Sequence, residues 1–249
     1  MPVNILQITD THIHDTDVRD FYGSRPNQAL NHVIQHALTH IPKIDYVVVT
    51  GDLSHDGGEA SARHLKHSLQ QFDCPIYVTP GNHDDAQIIK NYLLADQITM
   101  PQHIQLEHWQ LLFVDSHLDD QVYGQISDHA LLQLNRQLTQ NTKPALLFTH
   151  HPPTSIGCDW LDNIGINNGD QLLSQMCAYP QLKAVVFGHI HQQFELQWEN
   201  LLLLGSPSTC IQFKPNSGCF ATDDEAPGYR LFTLNAQGTF TSQVVRCPE

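Results

Sequence analysis

Seven side chains along this 249-residue chain have the types needed to hold a pair of divalent cations: Asp10, His12, Asp52, Asn82, His150, His189 and His191. Together they offer two carboxylates, one carboxamide oxygen and four imidazoles, with no thiolate. Mixed nitrogen and oxygen donors suit borderline ions such as manganese, iron, cobalt or zinc. The absence of cysteine argues against a structural zinc knot, and so much histidine is unlike an all-oxygen calcium or magnesium cage. Seven donors exceed what one tetrahedral ion needs. They suffice for two ions if one carboxylate bridges and water fills the rest.

Such residues are useful only if the fold gathers them, and the flanking sequence says how. Short apolar, β-branched runs end abruptly in a donor: 4–8 leads to Asp10, 46–50 to Gly51-Asp52, and 76–79 to Gly81-Asn82-His83-Asp84. Two more, 145–149 and 184–187, lead to His150-His151-Pro152-Pro153 and Gly188-His189-Ile190-His191. Runs of four or five residues have the length of strands. Between them, 27–40, 60–72 and 127–140 carry helical spacing, the last with Ser127 as N-cap. Strands alternating with helices predict an α/β protein with a largely parallel central sheet. A further strand is predicted over 111–114. Beyond Trp198 the pattern shifts to short runs broken by Gly, Pro and Asn, so residues 198–249 are expected to complete a second sheet with antiparallel strands. In open α/β sheets the ligand site lies at the carboxyl ends of strands. Five strands here end in Asp, Asn or His.

The bulk properties bound the chemistry. Hydrophobic residues make up 41% of the chain, which suits a globular protein, and no linker or repeat divides residues 1–249 into more than a single domain. Acidic residues outnumber basic ones by 26 to 12, a net charge of −14 that would repel a long polyphosphate and argues against DNA or RNA. A small anionic substrate stays compatible, because bound dications invert the local field. No segment reads as a signal peptide or membrane span, and six scattered cysteines without a Cys-x-x-Cys pair read as reduced thiols. A cytoplasmic protein is expected. Its oligomeric state is not specified.

The motifs Asp10-x-His12, Gly51-Asp52, Gly81-Asn82-His83-Asp84, His150-His151-Pro152 and Gly188-His189-x-His191 occur in the order of the calcineurin-like metallophosphoesterase superfamily, which the chain resembles. Further stretches, 6–12, 157–162, 207–215 and 226–230, are similar to the bacterial class III 3′,5′-cyclic AMP phosphodiesterases, so the resemblance spans nearly the whole chain. It implies a four-layer αββα sandwich of two mixed sheets. It also implies two divalent ions (Fe2+, Mn2+ or Zn2+), one held by Asp10, His12, Asp52 and His191, the other by Asp52, Asn82, His150 and His189. The implied reaction is hydrolysis of cyclic AMP to 5′-AMP by a metal-bridging hydroxide. Substrate contacts are expected from His12, Asn82, His83 and His191, while His151 either touches substrate or makes a structural hydrogen bond.

His83 follows Asn82, so its backbone is fixed beside the cations while its ring is free to protonate the leaving 3′-oxygen. Asp84 is expected to orient His83, as carboxylates often do for imidazole. Other histidines have duller readings. His32, His36 and His40 lack a carboxylate partner and read as a solvated helix face, as do His64 and His67; Asp119-Asp120 reads as a loop. Trp160 and Phe213 read as core aromatics rather than a purine platform. The competing functions are a phosphoesterase acting on 2′,3′-cyclic nucleotides, glycerophosphodiesters or phosphomonoesters, a nuclease, and a non-catalytic scaffold.

Overall fold

Side-chain alternation along short apolar strands decides the architecture. A computed structural model describes residues 2–248. One mixed sheet runs from edge to edge as β14 (Phe240–Arg246), β13 (Gly228–Leu234), β1 (Val3–Ile8), β2 (Tyr46–Thr50), β3 (Ile76–Thr79) and β4 (Ile98–Thr99). The other runs as β5 (His103–Gln105), β6 (Gln110–Phe113), β7 (Ala145–Phe148), β8 (Leu182–Phe187), β10 (Leu201–Gly205) and β9 (Phe194–Trp198). A ribbon of β11 (Gln212–Phe213) and β12 (Thr222–Asp223) stands apart. Strands β1 to β4 are mutually parallel, as are β6, β7, β8 and β10.

Alternate residues of each strand point to opposite faces. Ile5, Val48 and Tyr77 of the first sheet meet Leu111, Phe113, Leu146, Phe148 and Val186 of the second in one apolar layer between the sheets. Their neighbours point outward. Leu6, Ile8, Val47 and Val49 receive α1 (Pro26–His40) and α2 (Glu59–Leu69) through Leu30, Val33, Ile34, Leu65 and Leu69. The short α3 (Ala86–Ile88) follows β3. Leu112, Leu147 and Val185 receive α4 (Asp128–Gln140) and α6 (Gly169–Met176), while α5 (Asp159–Asp162) is a single turn that buries Leu161 in the same layer. Helix, sheet, sheet, helix: the four layers follow from burying both faces of every central strand.

Pro26 opens α1, and the Ser127 hydroxyl accepts from the Ala130 N–H at 3.1 Å as the expected N-cap of α4. The five donor-bearing strands divide between the sheets, three in the first and two in the second. One expectation needs correction, because the C-terminal segment does not go to the second sheet alone. Its β10 extends the second sheet, but β13 pairs antiparallel with β1, and β14 closes the first sheet outside it. The reason lies in β13, where Phe232 and Leu234 alternate with Leu231 and Thr233, so one apolar face enters the inter-sheet layer beside Ile5.

Leu147 is fully buried between β7 and the helices that cover it. Leu147→Ala is expected to cost about 2–5 kcal/mol. The check is a lower urea midpoint at an unchanged slope; a shift below about 0.5 kcal/mol would contradict the packing described.

Candidate metal centre

The strands deliver their donors to one end of the sandwich. Asp10 and His12 follow β1, Asp52 follows β2, Asn82 follows β3, His150 follows β7, and His189 and His191 follow β8. Each chain must turn sharply as it leaves its strand. Nine described non-glycine residues have a positive φ, and five of them are Asp10, His12, Asp52, His189 and His191. L-residues avoid this region, and such outliers persist where the surroundings over-determine them, often at functional sites. Here the surroundings are backbone ties between the turns: the Asp10 N–H donates to Gly51 O at 3.1 Å and the His12 N–H to Asp52 O at 2.9 Å.

The side chains gather into two groups that share Asp52. In the first, His12 Nε2 lies 3.2 Å from His191 Nε2, His191 Nε2 lies 3.5 Å from Asp10 Oδ1, and His12 Nε2 lies 3.6 Å from Asp52 Oδ2. In the second, His150 Nε2 lies 3.2 Å from His189 Nδ1, 3.3 Å from Asn82 Oδ1 and 3.3 Å from Asp52 Oδ1. The two oxygens of one carboxylate therefore face opposite groups. Backbone carbonyls, which only accept, fix two tautomers: His191 Nδ1–H donates to Ile211 O at 2.9 Å, and His150 Nδ1–H to Thr50 O at 2.8 Å. That arrangement turns each Nε2 lone pair inward, as metal-ligating imidazoles do.

Electrostatics agrees with a cation-binding role. Burial, reinforced by neighbouring imidazoles, holds His12 and His189 well below the ordinary imidazole range, so both rings are neutral donors. Burial alone lowers His150 as well, but Asp52 and Asp10 outweigh it and raise the ring's affinity for positive charge. Burial raises Asp10, yet the imidazoles of His191 and His150, with the Thr9 hydroxyl, together outweigh it and hold the carboxyl below its usual range. Lone pairs thus outnumber the protons available to bridge them. The donor set, mixed nitrogen and oxygen with no sulfur, fits two borderline divalent cations.

A cleft of about 220 Å³ opens above these residues, with His12, Asp52, Asn82, His83, His189 and His191 in its floor. The His83 Nδ1–H donates to the backbone carbonyl of His55 at 3.0 Å, leaving Nε2 for the cleft. The expected Asp84–His83 pair is not made. Asp84 is buried, and its carboxylate accepts from the N–H groups of Leu53, Ser54 and Gly81 at 3.0, 3.0 and 2.8 Å. It clamps the turn after β2 to the turn after β3 instead of orienting an imidazole. Of the two readings of His151, the structural one holds. Its Nδ1 accepts from the Ser116 hydroxyl at 2.8 Å and its Nε2 donates to Val122 O at 3.3 Å, which leaves no nitrogen for a substrate.

Trp160 and Phe213 pack against the core as expected, and both also line the cleft. His55 was not foreseen. Its ring stacks on His83 with centroids 4.9 Å apart, and burial, followed by the imidazoles of His83 and His14, pushes it down to about 4. The signal was the spacing Gly51-Asp52-x-x-His55, which carries no meaning until β2 is seen to end at the cleft.

Gly81 shows how little slack the centre has. A Cβ there would overlap the Asp52 amide nitrogen and carboxylate and press on the His150 ring. Gly81→Ala is expected to leave the far-UV dichroism native while lowering metal content below two per chain. Two tightly bound ions in that variant would contradict the packing.

Residues 3–193 match the family model described as calcineurin-like phosphoesterase. The chain belongs to this family. The calcineurin-like fold implies a dinuclear divalent metal centre, for which the clustered Asp and His side chains supply the donors. Similarity to curated members extends over the full length. A 3′,5′-cyclic-nucleotide phosphodiesterase of Nostoc sp. (strain PCC 7120) is 36% identical over 249 residues, covering 100% of this chain and 94% of the relative. The 3′,5′-cyclic adenosine monophosphate phosphodiesterase CpdA of Escherichia coli (strain K12) is 35% identical over 246 residues, covering 98% and 90%. Among solved structures, a dimetal phosphatase from Danio rerio superposes with a TM-score of 0.67 at 12% identity, covering all of both chains. A purple acid phosphatase from yellow lupin gives 0.73 at 11% identity, covering 99% of this chain and 52% of the other. These two establish the shared fold and no more.

Proposed function

We propose that this calcineurin-like phosphoesterase is a phosphodiesterase that hydrolyses 3′,5′-cyclic AMP to 5′-AMP. The observation that carries the reading is Asp52, whose two oxygens face two separate donor groups 3.6 and 3.3 Å away. Full-length similarity to cyclic-nucleotide phosphodiesterases supports the substrate class. Asp10, His12, Asp52 and His191 would hold one cation, and Asp52, Asn82, His150 and His189 the other, drawn from Fe2+, Mn2+ or Zn2+. Two such cations neutralise a phosphodiester and provide a nucleophile from water near neutral pH.

The remaining steps belong to side chains. Hydrolysis adds water across the P–O3′ bond, so the departing 3′-oxygen must gain a proton. His83 is placed for this: its Nδ1–H is engaged by a carbonyl, and Nε2 is the nitrogen left to carry the transferable proton. Asn82, with Oδ1 turned toward His150, keeps its amide N–H groups to donate to a phosphoryl oxygen. His12 and His191 form the wall against which the phosphate rests.

We further propose that the protein is cytoplasmic and forms a single domain over residues 1–249. All six cysteines are free, which fits a reducing compartment. Steady-state kinetics test the proposal, using metal-free protein reloaded with manganese, iron or zinc. Cyclic AMP, 2′,3′-cyclic AMP, glycerophosphodiesters and phosphomonoesters form the panel. Cyclic AMP is expected to have the highest kcat/KM, with 5′-AMP as product. A higher value for a phosphomonoester would overturn the substrate assignment.

A further inference from the structure

The cleft extends beyond the metal centre. Six side chains line it in a closed sequence of neighbours, His12, Phe21, Tyr22, Phe220, Phe213 and His191. Ring centroids are 5.0 Å apart from His12 to Phe21, 5.1 Å from Phe21 to Tyr22 and 5.0 Å from Tyr22 to Phe220. The circuit continues with 5.5 Å from Phe220 to Phe213, 4.0 Å from Phe213 to His191, and 5.1 Å back to His12. One side of this ring is metal-ligand imidazole and the opposite side is aromatic hydrocarbon. Trp160 buttresses the aromatic side, 5.0 Å from Phe213 and 5.4 Å from Phe220. Its indole N–H is buried and makes no hydrogen bond.

The aromatic side is exposed, and the backbone is strained to make it so. Six large hydrophobic residues are exposed among those described, and Tyr22, Val122 and Phe220 all line this one cleft. Tyr22 is 63% exposed and Phe220 44%. Exposed apolar groups concentrated at one mouth mark a binding surface, whereas scattered ones need no explanation. Tyr22 has φ +52° and Gly23 φ +86°, in a tight turn closed by Phe21 N–H to Ser24 O at 2.8 Å and Ser24 N–H to Phe21 O at 3.1 Å. A bulky residue at positive φ is a genuine outlier, and here it carries a phenol ring to the cleft mouth. The loop is anchored behind the turn, where buried Asn27 accepts from the His14 N–H at 2.9 Å and donates to His14 O at 3.0 Å. Opposite, the loop bearing Phe220 joins β11 to β12.

We propose that the aromatic corner formed by Tyr22, Phe220, Trp160 and Phe213 is the nucleobase subsite and selects purine over pyrimidine cyclic nucleotides. The inference rests on the phosphodiesterase reading, which fixes the phosphate at the imidazole side of the ring. The base of a nucleotide so held extends to the aromatic side. Stacking on aromatic faces favours the larger purine surface and is tolerant of its substituents, so adenine and guanine are both accepted.

The test compares metal-loaded wild type with the Tyr22→Ala/Phe220→Ala double variant on cyclic AMP, cyclic GMP, cyclic CMP and cyclic UMP. Bis(4-nitrophenyl) phosphate, a diester with no base, is the wild-type control for phosphodiester hydrolysis. Wild type is expected to favour both purine substrates by about tenfold or more in kcat/KM, carried mainly by KM. In the double variant that ratio falls toward one. Leu132→Ala, exposed on α4 away from the cleft, keeps the wild-type ratio. Equal wild-type use of purines and pyrimidines alongside good control turnover overturns the subsite alone, as does an unchanged ratio in the double variant. Absence of all diester turnover, the control included, overturns the phosphodiesterase reading and this inference with it.

Discussion

Asp52→Ala is expected to release both cations and to lower kcat/KM for cyclic AMP by more than about 10³-fold, beyond the 10–100-fold that loss of a supporting contact typically costs a metal site. The expectation comes from position. Asp52 Oδ2 faces His12 and Oδ1 faces His150, so one truncation strips an anionic donor from each group. What is left in the second group is two imidazoles and a carboxamide, with no carboxylate to offset a dication. The same oxygen, Oδ1, also accepts from the His83 N–H at 3.0 Å, so the variant loosens the proton donor's backbone as well. Elemental analysis after gel filtration, together with initial rates, checks both halves. A variant that keeps two ions and wild-type kcat would remove Asp52 from the role of bridge.

His83→Ala has the opposite signature. Both ions are expected to stay, because the His83 ring contributes no donor to either group, while kcat for cyclic AMP falls by about 10²–10⁴-fold. The ring lines the cleft with one nitrogen committed to His55 O, and truncation removes the nitrogen left for the substrate. A second measurement separates chemistry from structure. The loss should shrink for a diester whose leaving group is a weakly basic nitrophenol, since such a group departs without a proton. An equal loss on both substrates would contradict the acid role.

How much of this was legible beforehand differs by level. The donor residues were, because each terminates an apolar run, and a polar residue at a strand end is a sequence-local event. Where those strands went was not. Nothing in the run before His150 distinguishes a strand of the first sheet from one of the second; that depends on which partner it finds, a non-local pairing. The same limit explains β13, whose alternating Phe232 and Leu234 suit either sheet until β1 leaves its flank open. Asp84 was misjudged, and His151 left undecided, for a different reason. Sequence adjacency to a functional residue suggests a shared task, but successive side chains in a sharp turn diverge. Asp84 therefore faces the Leu53–Ser54 turn while His83 faces the cleft, and His151 faces Ser116 while His150 faces the donors. Tyr22 and Phe220 escaped notice because exposed aromatics are individually unremarkable. Only their 5.0 Å approach across the cleft mouth gives them meaning.

Anomalous diffraction from crystals loaded with manganese or zinc tests the central claim most directly. Two peaks per chain are predicted, one within the group of Asp10, His12 and His191, the other within the group of Asn82, His150 and His189, with an Asp52 oxygen contacting each. A lone peak, or peaks that leave Asp52 bound to a single ion, would contradict the account.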